Sequence, residues 1–449
     1  MSEQTIERKE ALWKKGPNYA ADAMIVSDNR ILLIQRSDTK KWALPGGFID
    51  TDESPLEAAA REAEEESAFK VSVPGKLIYS GRVEDPRNSD ERWIETSAFL
   101  FQEPDIQPIG GADDAVAARY FRLYDLPDEL HGSHEAIIRR GLLAYELERE
   151  ERWPTRGGHM SYDHTISHTD SCGSVFIKQH IPERHRDAER EQNSRLYLRR
   201  EAAAFDHLRS AGYKHVPAFS ELYDDTTLAL EGLIDGDGWH WMAPMDPELI
   251  DNYVADCLGA LRKLEEVPEL PDDNAVAPSI STFYEEGWDS LDDASLRTVG
   301  WKLRDMIGDL HPETAAYVEP LIAQLKNLRA EVQASECVIS TKLSHHDARQ
   351  ANIAWHPDQG AKIVDWSWAG PGVRGADTTS LLIDIAKSGH DVSAYMGEYF
   401  NSDHAKLLIG FWLEHSLWEV RPGNESVRLH QAASALTAYQ LLELAGALD

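Results

Sequence analysis

The sequence predicts two domains, an N-terminal mixed α/β sandwich followed by a largely helical α+β domain. Three observations predict it. Short β-type runs (AMIVSD, ILLIQRS, KLIYSGRV, WIETSAFLF, ARYFRL) recur from about Asn18 to Leu123, interrupted by a capped helix over 54–68 and closed by a second over 133–148. A polar stretch bearing Pro and Gly, EERWPTRGGHMSYDH at 150–164, reads as a linker. Beyond it a strand-like run, SVFIKQHI from Ser174, gives way to amphipathic helical segments near 247–265, 315–333 and 404–420. The expected division is therefore 1–149, 150–164 and 165–449; a length of 449 residues is more than one average domain.

In the first domain, Ser27-Asp28-Asn29-Arg30 has the composition of a hairpin turn between the first two strands. The helix after it is well signposted. Ser54 can cap, Pro55 takes the first helical position, and Glu57 completes a capping box. Ala58, Ala59, Ala60 and Ala63 keep the propensity high and the packed face thin. Yet five glutamates fall between Glu57 and Glu66, and like charges three and four apart repel. Glu62, Glu65 and Glu66 share one face. A solvated acidic face is the ordinary outcome of such a run; a site for a hard divalent cation is the other, because such ions want several oxygen ligands.

Composition narrows the partners. With 45 Lys and Arg against 78 Asp and Glu, the net charge of −33 argues against a nucleic-acid or anionic-membrane surface. Apolar residues make up 42% with no long charge-free apolar run, so no membrane span is expected. The opening MSEQTIERKEALWKKGPN has no apolar signal core, and cytoplasm is the expected location. Cys172, Cys257 and Cys337 are too far apart for a zinc pattern or a disulfide framework. The sequence carries no signal for an oligomeric state.

Spacing decides the glutamates. Five residues separate Gly47 from Glu53, seven more precede Arg61-Glu62, and Glu65-Glu66 follow. This resembles the Nudix box, G-x5-E-x7-R-E-U-x-E-E-x-G-U, with a small Ala63 at one apolar position and Ala68 where the final Gly belongs. GPNYAAD (16–22), KKWALPGGFID (40–50) and EDPRNSDERWIET (84–96) extend the resemblance to eukaryotic ADP-ribose pyrophosphatase and the related domain of melastatin-type channels. The resemblance implies hydrolysis of a nucleoside diphosphate derivative, with ADP-ribose giving AMP and ribose 5-phosphate. It also implies that Glu62, Glu65 and Glu66 hold Mg²⁺ or Mn²⁺, that Arg61 braces Glu53, and that Gly47 allows close backbone approach. Glu66, Asp113 and Asp114 remain candidates for the catalytic base. In the channel relatives the acidic box is eroded and the domain only binds ligand; here the acids are intact, which favours hydrolysis.

A second constellation lies downstream. LSHHDARQANIAW (343–355) and AKIVDWSWAGPG (361–372) fit H-x-D-x4-N followed by an apolar strand ending in Asp365. With Trp-Ser after that Asp and Asp377 beyond, this resembles the aminoglycoside phosphotransferase and choline kinase group, a two-lobed protein-kinase-like fold. The resemblance implies Asp347 as the base that takes a substrate hydroxyl proton, Asn352 and Asp365 as ligands of the metals on ATP, and His345 as a brace; His346 receives no role. Lys178 and Glu201 match the lysine that reaches the phosphates and its glutamate partner, and Glu231 to Leu233 the backbone that faces adenine. Gly173 is the candidate for the phosphate-covering turn, though no good glycine-rich loop is present and ATP is not distinguished from GTP. The reading is a bifunctional enzyme acting on an ADP-ribose-like nucleotide and an unknown hydroxyl compound. Its rival is a nucleotide sensor that regulates the kinase-like half.

Overall fold

The computed structural model describes residues 14–113, 115–155, 162–184, 188–271, 280–334, 342–419 and 425–448; Asp114 and Cys337 lie outside them. These residues group into two compact units, one of residues up to 184 with 221–232, the other of 185–220 with 233–449.

Alternation along β1 (Gly16–Ser27) organises the first unit. Ala21, Ala23 and Ile25 point to one face, where Ala58, Ala59 and Ala63 of the helix Pro55–Ser67 pack with Leu32, Phe69, Phe99 and Phe101. Met24 points to the other, against Gly141 of the helix His134–Arg149, where a side chain at 141 would overlap the Met24 sulfur. A seven-stranded sheet thus lies between two helices. Besides β1 it contains β2 (Arg30–Arg36), β3 (Trp42–Ala43), β4 (Gly46–Phe48), β5 (Lys76–Arg82), β6 (Arg92–Gln102) and β7 (Ala115–Arg122). The order is β3-β2-β1-β6-β5, with β4 on β1 and β7 on β2. The long β1–β6 pair is parallel, from Gly16↔Arg92 to Val26↔Gln102. Asp28 and Asn29 both have positive φ, 48° and 54°, as a two-residue hairpin turn matched to strand twist requires.

Immediately after the second helix the chain enters another sheet of the same unit. Its strands β8 (Arg152–Pro154), β9 (Tyr162–Thr169), β10 (Gly173–His180), β11 (Ser220–Tyr223) and β12 (Thr227–Glu231) run in the order β11-β12-β10-β9-β8. Within 150–164, read above as a linker, the chain therefore builds β8 and the start of β9. The helix and this sheet are tied together. Arg140 bonds Glu221 and the Leu222 carbonyl and lies 4.9 Å over the Tyr223 ring, while Tyr223 donates back to the Arg140 carbonyl at 2.9 Å. Glu146 accepts the Tyr124 hydroxyl at 2.6 Å and the Ser171 N–H at 3.1 Å.

The second unit is mostly helical. It includes the helices Ala188–Ser210, Pro247–Leu264, Asp293–Asp305, Val318–Ala334, Ala376–Lys387, Ser402–Ser416 and Glu425–Leu444. Two short antiparallel strand pairs carry its polar motifs: β13 (Lys342–Ser344) with β16 (Gly370–Gly372), and the hairpin β14 (Ile353–His356) with β15 (Gly360–Ile363). Tyr253, Leu258, Trp355, Ile363 and Leu381 are among its fully buried side chains. Among the described residues no helix is long and apolar enough to cross a membrane.

The helix Pro55–Ser67 starts as the sequence requires, with the Ser54–Glu57 capping box formed in both directions. It stops at Ala68, whose φ of 58° is left-handed. Gly occupies such a position without the Cβ clash that Ala bears. Ala68→Gly is expected to raise the stability of the first unit by about 0.5–1 kcal/mol, read by urea unfolding.

Candidate functional site

The small alanines of the Pro55–Ser67 helix bring its acidic face close to the turn at Pro45-Gly46-Gly47. A Cβ on Gly47 would collide with Glu62 Oε1, and one on Gly46 with Asp22 Oδ1. The Gly46 N–H donates to Glu66 Oε2 at 3.0 Å. Arg61 grips Glu53 through Nε (2.8 Å) and NH2 (3.0 Å), and NH2 also reaches the Phe48 carbonyl at 3.2 Å. The loop is thus braced on the helix, as the sequence suggested. Arg61 does more than was expected of it: NH1 bridges Glu62 Oε1 at 2.8 Å and Glu65 Oε2 at 2.9 Å.

Glu62 and Glu66 are buried, whereas Glu65 is half exposed. Burial, with the fields of Glu62 and Asp113, pushes the Glu66 carboxyl up to about 8 against the pull of Gly46 N–H and Arg36. Burial also raises Glu62, with Arg61 opposing and Glu65 and Asp113 adding to it. Two buried carboxylates one helical turn apart, one held by Arg61 and both in the field of Asp113, are a donor set that suits a hard divalent cation. Among the described residues no three His, Cys, Asp or Glu are already gathered closely enough to hold one, and Arg61 lies between two of the glutamates. The chemistry of the donors fits; holding an ion with all three requires Glu65 to leave Arg61.

Sequence reasoning missed a cluster beside this face. Asp22, in the quoted GPNYAAD segment, accepts the Thr96 hydroxyl at 2.6 Å, and burial raises its carboxyl to about 6. His134 Nδ1 accepts the Leu44 N–H at 3.1 Å, and burial, then Arg36, lowers its pKa to about 4. His131 is likewise lowered to about 4, by burial and by Arg36, with its ring 5.7 Å from that of His134. The motif DPRN resolves into an Asp85–Arg87 pair at 2.8 Å and an Asn88 that bonds the Val83 carbonyl and the Ile94 N–H.

In the second unit, β13 delivers His345 to Asp347 and β15 delivers Asp365. His345 Nδ1 accepts the Asp347 N–H at 3.2 Å, and Nε2 meets the Val364 carbonyl at 2.9 Å, so the ring braces the loop. Asp377 accepts the N–H groups of His345 (2.7 Å) and His346 (2.9 Å). His346, given no role above, is buried with φ +66° and meets the Pro371 carbonyl at 3.0 Å. Asp365 is also left-handed, at φ +63°; two such residues in one loop system mark strain held by its surroundings. Asn352 donates through Nδ2 to Asp347 Oδ2 at 2.8 Å and to the Asp347 carbonyl at 2.9 Å. Burial, against Arg349 and with Asp365, raises the Asp347 carboxyl to about 6.

The remaining expected residues fall as follows. Lys178 is buried on β10 with Nζ 4.9 Å from the Tyr162 ring centre, and Glu231 ends β12; both are in the first unit. Glu201 is buried on the helix Ala188–Ser210 and Leu233 packs with Trp239 and Ala354; both are in the second. The Leu233 carbonyl accepts Trp241 Nε1 at 2.7 Å. Gly173 corrects an expectation. It sits, at φ +71°, in the β9–β10 turn, five residues and about 16 Å along the strand from Lys178. The residue opposite Lys178 is His164, next to the β8–β9 connection that contains Gly157-Gly158. Residues 156–161 of that connection lie outside the described ones.

A sandwich with a braced acidic helix and a loop with H-x-D-x4-N define a hydrolase-type and a kinase-type domain in one chain. Residues 16–141 match the NUDIX domain and residues 180–408 the Phosphotransferase enzyme family. A Methanocaldococcus jannaschii ADP-ribose pyrophosphatase is 37% identical over 131 residues, covering 27% of this chain and 72% of that protein. A mitochondrial ADP-ribose pyrophosphatase of Rattus norvegicus is 31% identical (28% and 48%), and a putative nudix hydrolase 6 of Caenorhabditis elegans 32% identical (28% and 55%). The chain spans about half the length of these last two. It belongs to the Nudix family through its front half and to the phosphotransferase family through its back half, with the sandwich and kinase-like folds expected of each.

The raised Glu66 carboxyl has a consequence for the cation-free chain. The folded state holds a proton that the unfolded state releases near pH 4.5, so stability falls as pH rises from about 5 through 8. The slope contributed is at most about 1.4 kcal/mol per pH unit. Thermal unfolding in a chelator should show this decline, and Glu66→Gln should remove most of it.

Proposed function

We propose that the chain is a bifunctional enzyme: a Mg²⁺-dependent hydrolase of an ADP-ribose-like nucleotide and an ATP-dependent kinase of a small-molecule hydroxyl. Residues 1–149 would form the hydrolase, 150–164 the junction and 165–449 the phosphotransferase. The observation that carries the first activity is the buried, electron-rich pair Glu62–Glu66 set against Gly46-Gly47. The ADP-ribose pyrophosphatase relatives point to the substrate, with AMP and ribose 5-phosphate as products.

In this reading Glu62, Glu65 and Glu66 hold the divalent ion or ions, which supply charge neutralisation on the diphosphate and an acidified water. Arg61 keeps the loop on the helix through Glu53. Glu66, Asp113 and Asp114 are the candidates to take the proton of the attacking water.

In the kinase half Asp347 takes the proton of the acceptor hydroxyl. Asn352, through Oδ1, and Asp365 hold the Mg²⁺ or Mn²⁺ that screens the phosphates of ATP. Lys178 and Glu201 steady the α- and β-phosphates, and Glu231 with the Leu233 N–H faces the base. Supporting this is the loop itself: a half-buried Asp347 already bonded to Asn352 and braced by His345.

Pure protein with ADP-ribose and Mg²⁺ is expected to release AMP, with Glu66→Gln lowering the rate by on the order of 100-fold or more. AMP release unchanged in that variant would remove Glu66 from the mechanism. Asp347→Ala should abolish ADP formation from ATP in the presence of hydroxyl acceptors and leave AMP release from ADP-ribose intact.

A further inference from the structure

Arg349, two residues after Asp347, has no part in the roles assigned above. Its NH2 lies 3.1 Å from Asp347 Oδ2, with the two side chains 43% and 38% exposed. The same Oδ2 accepts Asn352 Nδ2 at 2.8 Å. Among the described residues no donor reaches Asp347 Oδ1. Arg349 Nε is buried with no hydrogen-bond partner.

The backbone that carries this side chain is anchored. The Arg349 carbonyl accepts the Asn352 N–H at 2.9 Å. Gln350 next door donates from its N–H to Asp384 Oδ2 (2.9 Å) and from Nε2 to Ser388 Oγ (2.8 Å), and its Oε1 accepts the Ala243 N–H (2.9 Å). Asp384 is in turn held by Lys387 at 2.7 Å. The arginine therefore projects from a fixed point into the combined field of Asp347, Asp365 and Asp384.

As a stabilising ion pair this arrangement is poor. A half-exposed pair contributes about 0–1 kcal/mol, and a buried unpartnered N–H costs about 1–3 kcal/mol. What it does achieve is asymmetry at one carboxylate: Oδ2 carries two donors and Oδ1 none.

We propose that Arg349 is a positioning residue for phosphoryl transfer, clamping Asp347 by Oδ2 together with Asn352 so that Oδ1 alone is presented to the acceptor hydroxyl. The role rests on the kinase reading above. In the step, the acceptor O–H bond breaks and its proton passes to Asp347 Oδ1. The freed oxygen pair forms the bond to the γ-phosphorus as the bond from that phosphorus to the bridging oxygen breaks and ADP leaves. Arg349 touches neither reacting atom; it fixes the rotamer that puts Oδ1 in line, and orientation of this kind is worth orders of magnitude in rate.

The test uses the full chain with ATP, Mg²⁺ and, as acceptors, water and a panel of sugars, amino alcohols and nucleosides, reading ADP release. Arg349→Met is expected to lower kcat by on the order of 100-fold with KM for ATP within about twofold of the unaltered chain, because the orientation is lost and nucleotide binding is not. Arg349→Lys, which keeps one donor and the charge, should recover to within about tenfold. Turnover of Arg349→Met within threefold of the unaltered chain would overturn the proposal, as would equal losses in Met and Lys variants or a rise in KM with kcat unchanged. If Asp347→Ala abolishes ADP release and Arg349→Met leaves it intact, only this inference fails. If Asp347→Ala has no effect, or the unaltered chain releases no ADP, the kinase reading fails and this role with it.

Discussion

Carboxylates withdrawn wholly or partly from water and set close to one another are the constraint around which both halves of the chain are arranged. In the front half Glu62 and Glu66 lie one turn apart under the Gly46-Gly47 backbone, with Asp113 in their field. In the back half Asp347 lies in the field of Asp365, and Asp377, at the start of the helix Ala376–Lys387, holds the loop just before Asp347. Burying an ionised carboxylate is costly unless donors or cations compensate. Each half compensates incompletely, through backbone N–H groups and arginines: Arg61 and Arg36 in the front, Arg349 in the back.

The compensation follows a common plan with different parts. Arg61 divides its guanidinium among Glu53, Glu62 and Glu65, so one side chain both braces the loop and partly neutralises the acidic face. Arg349 commits to Asp347, while Asp377 is satisfied by two consecutive backbone N–H groups. Glycine matters only where the backbone must come closest: a Cβ at 47 would collide with Glu62. The alanine face of the Pro55–Ser67 helix belongs to the same design, since larger residues at 58, 59 and 63 would lift the glutamates away from the turn.

Local physics that is written in consecutive residues was legible in the sequence. The Ser54–Glu57 capping box, the Asp28-Asn29 turn, the Arg61–Glu53 brace and the supporting place of His345 all appear as read. What depended on distant partners did not. Asp22 gained significance only through Thr96 on a neighbouring strand, and His134 only through the Leu44 N–H. Arg152–Pro154 forms a three-residue strand with Pro at the margin of its sheet, where a missing N–H is tolerated, so its composition resembled a loop. Gly173 had the positive φ expected of a tight turn but stands at the far end of β10 from Lys178, a fact set by strand pairing that residue order leaves open.

In the proposed hydrolase the front carboxylates exchange a proton for a metal ion. Calorimetry of Mg²⁺ binding at pH 7, in buffers of differing ionisation enthalpy, counts the protons released per ion. With the Glu66 carboxyl raised to about 8, close to one proton should leave as the front site fills, and that release should vanish in Glu66→Gln. Binding without proton release, or release that persists in the variant, would contradict that exchange.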